Sequence, residues 1–436
     1  MMFLTGRPDG PALGGPSGLV HGGRRLALDI GARSGRLGRP VAVDPLALMA
    51  ERAAFAGLRR RGRVSCGGSS RLMQSADGWM AATMARPSDW ELVPALLELR
   101  SPVPGGAWST LEAGVGRLGS QELTERAGLL GLPLAAVGER ETRGWASDGP
   151  SDGPPSGLTI PGISPRRIRA APAVGSTIGL VVADLSALWA GPLAGGLLAR
   201  AGARVVKIES TSRPDGARLG DPRFYASLNA DKASVALDFG DPAGRRVLAE
   251  IVSRADVVIS ASRPRVLDHL GLDAEALVRD GRTRAWLMIS GFGSGGSSSN
   301  RVAFGDDAAV AGGLVAWDGP TPCFCGDAVA DPLTGLAGTA AVLAALESDG
   351  AWIIEASMAD VAGGMTGPAL QVAGLHASPP TTGDHGPTSP VAALGEDTSD
   401  VLRELGIARP RGSSPVHRGG PASRMAATFG TLPSGD

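Results

Sequence analysis

The sequence predicts an α/β protein: a parallel sheet covered by helices on both faces, preceded by a smaller α+β unit. Two observations carry this. Between residues 176 and 375, short apolar runs alternate with helix-like runs of small and apolar residues, the pattern of strands buried on both faces. Stretches rich in Pro, Gly and Ser, with no helical or strand period, interrupt the pattern at 147–175 and 376–390 and read as linkers. The expected layout is a small α+β domain over 1–146, a linker over 147–175 and the sheet domain over 176–375. A linker and closing helix follow over 376–410, then a disordered, polar tail over 411–436.

Each element follows from its residues. In the sheet domain, "IGLVVADLS" (178–186), "ARVVKIES" (203–210), "DVVISAS" (256–262) and "AWLMISGFG" (285–293) are short, β-branched and apolar, hence strands. "GPLAGGLLARAG" (191–202) is a small-residue helix, and "DPAGRRVLAEIVSRA" (241–255) is a helix opened by an Asp-Pro cap. In the first 146 residues, 45–62 and 120–132 carry helical spacing, and "DGWMAATMA" (77–85) reads as a turn entering a strand. Parallel sheets bind ligands outside the carboxyl ends of their strands, so the loops after these strands are the places to look for chemistry.

Composition excludes several classes. The 436 residues carry a formal net charge of −1, which gives no reason to expect nucleic acid as a partner. No apolar run approaches the ~20 residues of a membrane span, and the N-terminus lacks a basic-then-apolar signal layout, so the expectation is a soluble cytoplasmic protein. Cys66, Cys323 and Cys325 form no disulfide framework, and Cys323-x-Cys325 lacks a second ligand pair, so no metal site is expected. Of 42 basic residues only Lys207 and Lys232 are lysines. "SGFGSGG" (290–296) contains Gly291-x-Gly293-x-x-Gly296, but it lies late in the sheet and no helix opens after it, so it is a weak dinucleotide signal.

"GDAVADPLTGLAGTAAVLAAL" (326–346) sets a lone carboxylate, Asp331, before Pro332 and a run of small residues. The local pattern leaves two readings open. Asp331 is an N-cap with Pro at the first helical position, or it is a carboxylate nucleophile, whose negative charge and acyl intermediates a helix N-terminus favours.

Residues 179–365 resemble the family III CoA-transferases (the CaiB/BaiF group). The blocks that carry the resemblance are "VVADLSALWAGPLAGGLLARAGARVVKIES", "NADKASVALDFGDPAGRRVLAEIVSRADVVISASRPRVLDHLGLD", "SGFGSGG" and the Asp-x-x-Thr-Gly of Asp331–Gly335, in the family's order. The resemblance implies a Rossmann-like sheet domain that binds coenzyme A or acyl-CoA as substrate. It also implies a carboxylic acid as second substrate, a homodimer, and Asp331 as the nucleophilic aspartate. For CoA it implies Trp189, Ala190, Gly191 and Pro192 of the opening block, Lys207, Lys232, Arg263, and Gly291 and Gly293, with Arg301 as a further contact. "CGGSS" (66–70) resembles a closing loop with Gly67 and Gly68 at its centre, and Trp79 and Trp189 are candidates to shape the acyl site.

Two departures from the family stand out. The block that ordinarily reads Asn-Arg-x-Lys-Arg-Ser is Asn229-Ala230-Asp231-Lys232-Ala233-Ser234, without its two arginines. Segments resembling the family's second half (4–13 and 65–97) precede the sheet domain, an order that implies circular permutation with 147–175 as the new join. The implied reaction is attack of Asp331 on an acyl-CoA, giving an anhydride, then an aspartyl-CoA thioester that hands CoA to a second acid. The alternatives are an α-methylacyl-CoA racemase-like enzyme, which ordinarily uses a histidine that "AFGDDAAVAGG" (303–313) lacks, and a non-catalytic acyl-CoA-binding homologue.

Overall fold

The computed structural model describes residues 1–142, 159–262, 264–372, 375, 377–381 and 390–408. Arg263, the expected tail 411–436 and part of each expected linker lie outside them. The strands, in chain order, are β1 (Ser70–Gln74), β2 (Trp79–Thr83), β3 (Leu134–Ala136), β4 (Ile163–Arg169), β5 (Val181–Asp184), β6 (Arg204–Ser210) and β7 (Ala233–Leu237), followed by β8 (Val257–Ser260), β9 (Ala285–Ser290), β10 (Val315–Asp318), β11 (Thr321–Phe324) and β12 (Ala351–Ser357).

Seven of them form one mixed sheet in the order β4-β12-β9-β8-β5-β6-β7, parallel throughout except for β4. β7 and β8 are buried at every position, as strands covered on both faces must be. One face carries Val182, Ile259, Leu287 and Ile354, and the other carries Val206, Val235, Val258 and Trp286. The helix Ala330–Glu347 covers the first face. It is apolar on nearly every side and almost wholly buried, because it also packs against the helices Ser17–Arg36 and Ala190–Arg200. Arg33 and Arg36 both bind Glu347 at its carboxyl end.

The expected boundaries are corrected in two places. Residues 163–169, inside the expected linker, form β4, antiparallel to β12 with a bulge at Ala351/Trp352. The stretch carries Pro165, Arg166, Arg167 and Arg169 and no apolar run, because it is an edge strand: Pro is tolerated there and positive charge guards the open edge. The helix Ser17–Arg36, expected in the small unit, contributes Leu19, Leu26 and Ile30 to the large core. What remains of the small unit is the antiparallel β1-β2-β3 sheet and its helices, closed over Met73, Met80, Trp90 and Leu111. The expected closing helix is present as Thr398–Glu404, with Val401 and Leu402 buried beside β7.

Both lysines are interior. Lys232 Nζ donates to Asp184 Oδ2 (2.8 Å), the Pro192 carbonyl (2.7 Å) and Asn229 Oδ1 (3.0 Å). Lys207 Nζ pairs with Asp215 (2.8 Å) and donates to the Ser186 carbonyl (3.0 Å). Burial opposes the charge of Asp184, but Lys232 and then Lys207 outweigh it and hold its carboxyl below the usual range. These ammonium groups pin residues 184–192, the loop leaving β5. Removing one partner of such a buried pair strands the other charge, so Lys232→Met should lower the unfolding free energy by about 3–5 kcal/mol in urea titrations, and a loss under 1 kcal/mol would disprove the bracing role.

Candidate active site

Asp331 lies at the start of the buried helix, beyond the carboxyl ends of the parallel strands. It is not the N-cap: the helix runs from Ala330, with Val329 at the cap position, so Asp331 sits within the first turn. The preceding residues are bent sharply. Gly326 has φ +73° and Ala328 φ +47°, and a left-handed non-glycine residue is strained. Leu188, one residue before Trp189, shares this conformation at φ +69°, and its N–H is held by Asp215 Oδ1 (3.0 Å). Two of the three left-handed non-glycine residues among those described therefore flank one site.

The strain positions donors. The Ala190 N–H, at the start of its own helix, reaches the Asp331 carboxylate. Gly305 leaves room for it from the other side, since a Cβ there would collide with Asp331 Oδ2 and the Ala328 carbonyl. Asp331 as a residue is only half-buried, while its carboxyl lies inside the site. Burial of the carboxyl pushes it up to about 7, Arg52 and the Ala190 N–H oppose the rise, and Asp306 and Asp327 add to it.

Arg52, from the helix Pro45–Ala56, is the cation of the site. Its Nε and Nη2 donate to the two oxygens of the fully buried Asp327 (2.9 and 2.5 Å), a bidentate geometry suited to a guanidinium. Its Cζ lies over the Trp189 ring, 5.4 Å from the ring centre. Burial works against its charge, but Asp327, Asp306 and Asp331 outweigh burial and raise its pKa. Asp306 accepts from the Ser70 hydroxyl (2.9 Å) and the Ala328 N–H (3.0 Å), so it fastens β1 to the strained turn. Asp307 Oδ1 accepts from Thr83 (2.8 Å) and the Phe304 N–H (3.0 Å), while its buried Oδ2 has no partner among the described residues.

The structure thus brings Asp331, Trp189, Ala190 and Gly67 together around Arg52, with a Cβ on Gly67 falling 3.6 Å from Arg52 Nη2. Gly191 and Pro192 follow in the same buried helix start; Gly191 packs on Ser186, and the Pro192 carbonyl binds Lys232. Gly68, at φ +84°, turns the loop beside Arg61. Lys207 and Lys232, expected to contact CoA, are both closed inside the fold, where Lys232 Nζ has three partners and Lys207 Nζ two. Gly291 backs onto Ala303, and Gly293 lines a separate cavity of about 350 Å³ with Glu355, Ser357 and Asp360, which Asp331 does not line. Arg301 is tied to Glu139 (2.6 Å). Trp79 packs beside Leu72 and Phe324. Sequence reasoning missed Arg52, Asp306, Asp307 and Asp327. Asp327, four residues before Asp331, and the doublet Asp306-Asp307 were visible as further carboxylates; nothing in its helical pattern marked Arg52.

Residues 178–394, just under half of the chain, match the model described as CoA-transferase family III, the family whose motifs the sequence carries. It is 31% identical over 178 residues to the human succinyl-CoA:glutarate CoA-transferase, which spans 38% of this chain and 41% of that protein. It is 32% identical over 185 residues to the acetyl-CoA:oxalate CoA-transferase of Acetobacter aceti, spanning 39% and 48%. The chain therefore covers less than half the length of these relatives. A crystal structure of a CaiB/BaiF family protein from Brucella suis is 29% identical with a TM-score of 0.40, over 44% of this chain and 55% of that one.

The buried carboxyl of Asp307, pushed up to about 7 by burial, makes a testable demand on stability. A raised carboxyl pKa means the native state keeps a proton that the unfolded chain has lost. Its contribution is complete in acid, below the ordinary value near ~4, and is lost as pH rises through about 7. Asp307 should lower the unfolding free energy by on the order of 2 kcal/mol between about pH 5 and pH 8, and Asp307→Asn should remove that share of the slope, leaving the share of Asp331. A variant as steep as the parent would place the titrating group elsewhere.

Proposed function

We propose that the chain transfers CoA from an acyl-CoA to a carboxylic acid through an aspartyl-CoA thioester on Asp331. The observation that carries this reading is the setting of Asp331: a carboxylate in the first turn of a buried helix, with the Ala190 N–H upon it and Arg52 beside it. One Asp331 oxygen attacks the thioester carbonyl and CoA leaves as thiolate. The thiolate then attacks the aspartyl carbonyl of the anhydride, releasing the first acid and leaving the aspartyl thioester. Ala190 N–H stabilises the oxyanion formed at the aspartyl carbonyl, as fixed donors do at acyl-transfer sites. Trp189 and the glycine loop at Gly67 and Gly68 shield the intermediates from water.

The match of the family model to 178–394, together with the donation of Arg52, Ser70 and Thr83 to the site from the preceding segment, supports a circularly permuted arrangement. The family's second half then precedes the sheet and completes the same site. A racemase-like proton exchange is less well supported, because Asp306, the carboxylate nearest in sequence to the missing histidine, is already bound to Ser70 and Ala328.

The test is to trap the intermediate. Purified protein incubated with succinyl-CoA, acetyl-CoA and formyl-CoA, then with hydroxylamine, should yield a donor-dependent hydroxamate on Asp331 by peptide mass spectrometry. Asp331→Asn should give none. Asp331 attacks as the carboxylate, so trapping should rise as pH increases through about 7. Measurable CoA binding without an adduct from any donor would replace this reading with that of a non-catalytic acyl-CoA-binding protein.

A further inference from the structure

Four ionisable groups meet at the site, and when all are ionised their charges do not balance. Asp331, Asp327 and Asp306 face one guanidinium, that of Arg52. Of the neighbouring groups, burial and the same carboxylates hold the Cys66 thiol neutral, so it adds nothing. An approaching carboxylic acid therefore meets a site whose single cation is already shared among carboxylates, and like charges brought together without compensation oppose binding. The acid must nonetheless come close enough to react at Asp331.

We infer that Arg52 anchors the acid substrate's carboxylate, and that conversion of Asp331 to its neutral thioester is what admits that acid; the inference rests on the transferase reading above. Arg52 is fitted for this by what it leaves uncommitted. Nε and Nη2 are spent on Asp327, while Nη1 makes no hydrogen bond among the described residues. Nη1 lies about 4.0 Å from where a Cβ of Gly67 would stand. Gly67 is exposed, and about a third of the Arg52 side chain is accessible, so the free corner of the fork opens between Trp189 and the glycine loop. A side chain at residue 67 would fill that opening.

The sequence of charges then runs in order. In the resting site Asp331 competes with the acid for Arg52. Once the aspartyl-CoA thioester has formed, that negative charge is gone, and Arg52 balances Asp327 while offering Nη1 to the acid. The acid oxygen adds to the aspartyl carbonyl, the carbon–sulfur bond breaks and CoA leaves as thiolate. The thiolate adds to the acyl carbon of the anhydride, the bond to the aspartyl oxygen breaks and the Asp331 carboxylate returns. Its recovered charge draws on Arg52 again, and the neutral thioester product carries no group at the reacting carbon to hold it there.

Asp331→Asn imitates the uncharged state without the chemistry. Glutarate and acetate serve as probes, their binding read by calorimetry and by the fluorescence of Trp189 beneath Arg52 at pH 8, where the native Asp331 is ionised. Asp331→Asn should bind at least one probe about tenfold or more tightly than the parent protein. Arg52→Gln alone would strand the buried Asp327, so the anchor is removed with Asp327→Asn in the same chain. Combined with Asp331→Asn, this pair should abolish the gain while circular dichroism stays unchanged. Equal affinity of parent and Asp331→Asn, absence of binding by both probes at tens of millimolar, or a gain that survives loss of Arg52 would each overturn the inference. A failed hydroxamate trap with the tenfold gain intact would instead remove the transferase reading and leave Arg52 as a carboxylate anchor.

Discussion

The helix Ala330–Glu347 is buried on nearly all sides, and that constraint orders the rest of the molecule. A helix made of Ala, Gly, Leu and Thr can lie against a sheet and two other helices at once because it has little side-chain bulk to place. Its ends are where polarity must be dealt with. At the carboxyl end Glu347 is taken by Arg33 and Arg36. At the amino end a buried turn gathers Asp327 and Asp331, and Arg52 reaches in to answer them. The site is the polar end of an otherwise apolar rod.

Much of this was legible in the chain. The buried strands β5, β6, β8 and β9 announced themselves by β-branched runs, and Asp331 by standing alone between apolar stretches. The misses have physical causes. β4 carries arginines and a proline because an edge strand has only one neighbour to satisfy, so no periodicity marks it. Helix Ser17–Arg36 was assigned by position to the small unit; which core a helix joins depends on long-range packing that local pattern does not encode. Arg52 was invisible for a related reason. The helix Pro45–Ala56 carries Arg52 as its single arginine, followed beyond its end by Arg59, Arg60 and Arg61, and only the fold says which of them faces a buried aspartate.

The lysines teach a different point. Rarity in an arginine-rich chain made Lys207 and Lys232 look selected, and the selection has a structural account. A compact ammonium on a flexible stem donates in three directions from a small volume, which suits a crowded interior where a planar guanidinium would not fit. Lys232 uses all three on Asp184, Pro192 and Asn229. Through the loop they brace, both lysines bear on the helix start at Ala190, which adjoins Asp331. With them inside, the charges available to an anionic ligand are arginines, drawn partly from the N-terminal segment.

The ion pair between Arg52 and Asp327 joins residues 275 positions apart, and it changes what counts as a module. The segment that matches the family model would, if cut out, keep six of the seven strands of the large sheet and Asp331. It would also leave Asp327 buried without its cation, Asp306 without Ser70, and the long helix bare where Ser17–Arg36 had covered it. Sequence similarity therefore draws its boundary inside a cooperative unit. The smallest piece of this chain able to hold the site together includes the beginning of the protein as well as its middle.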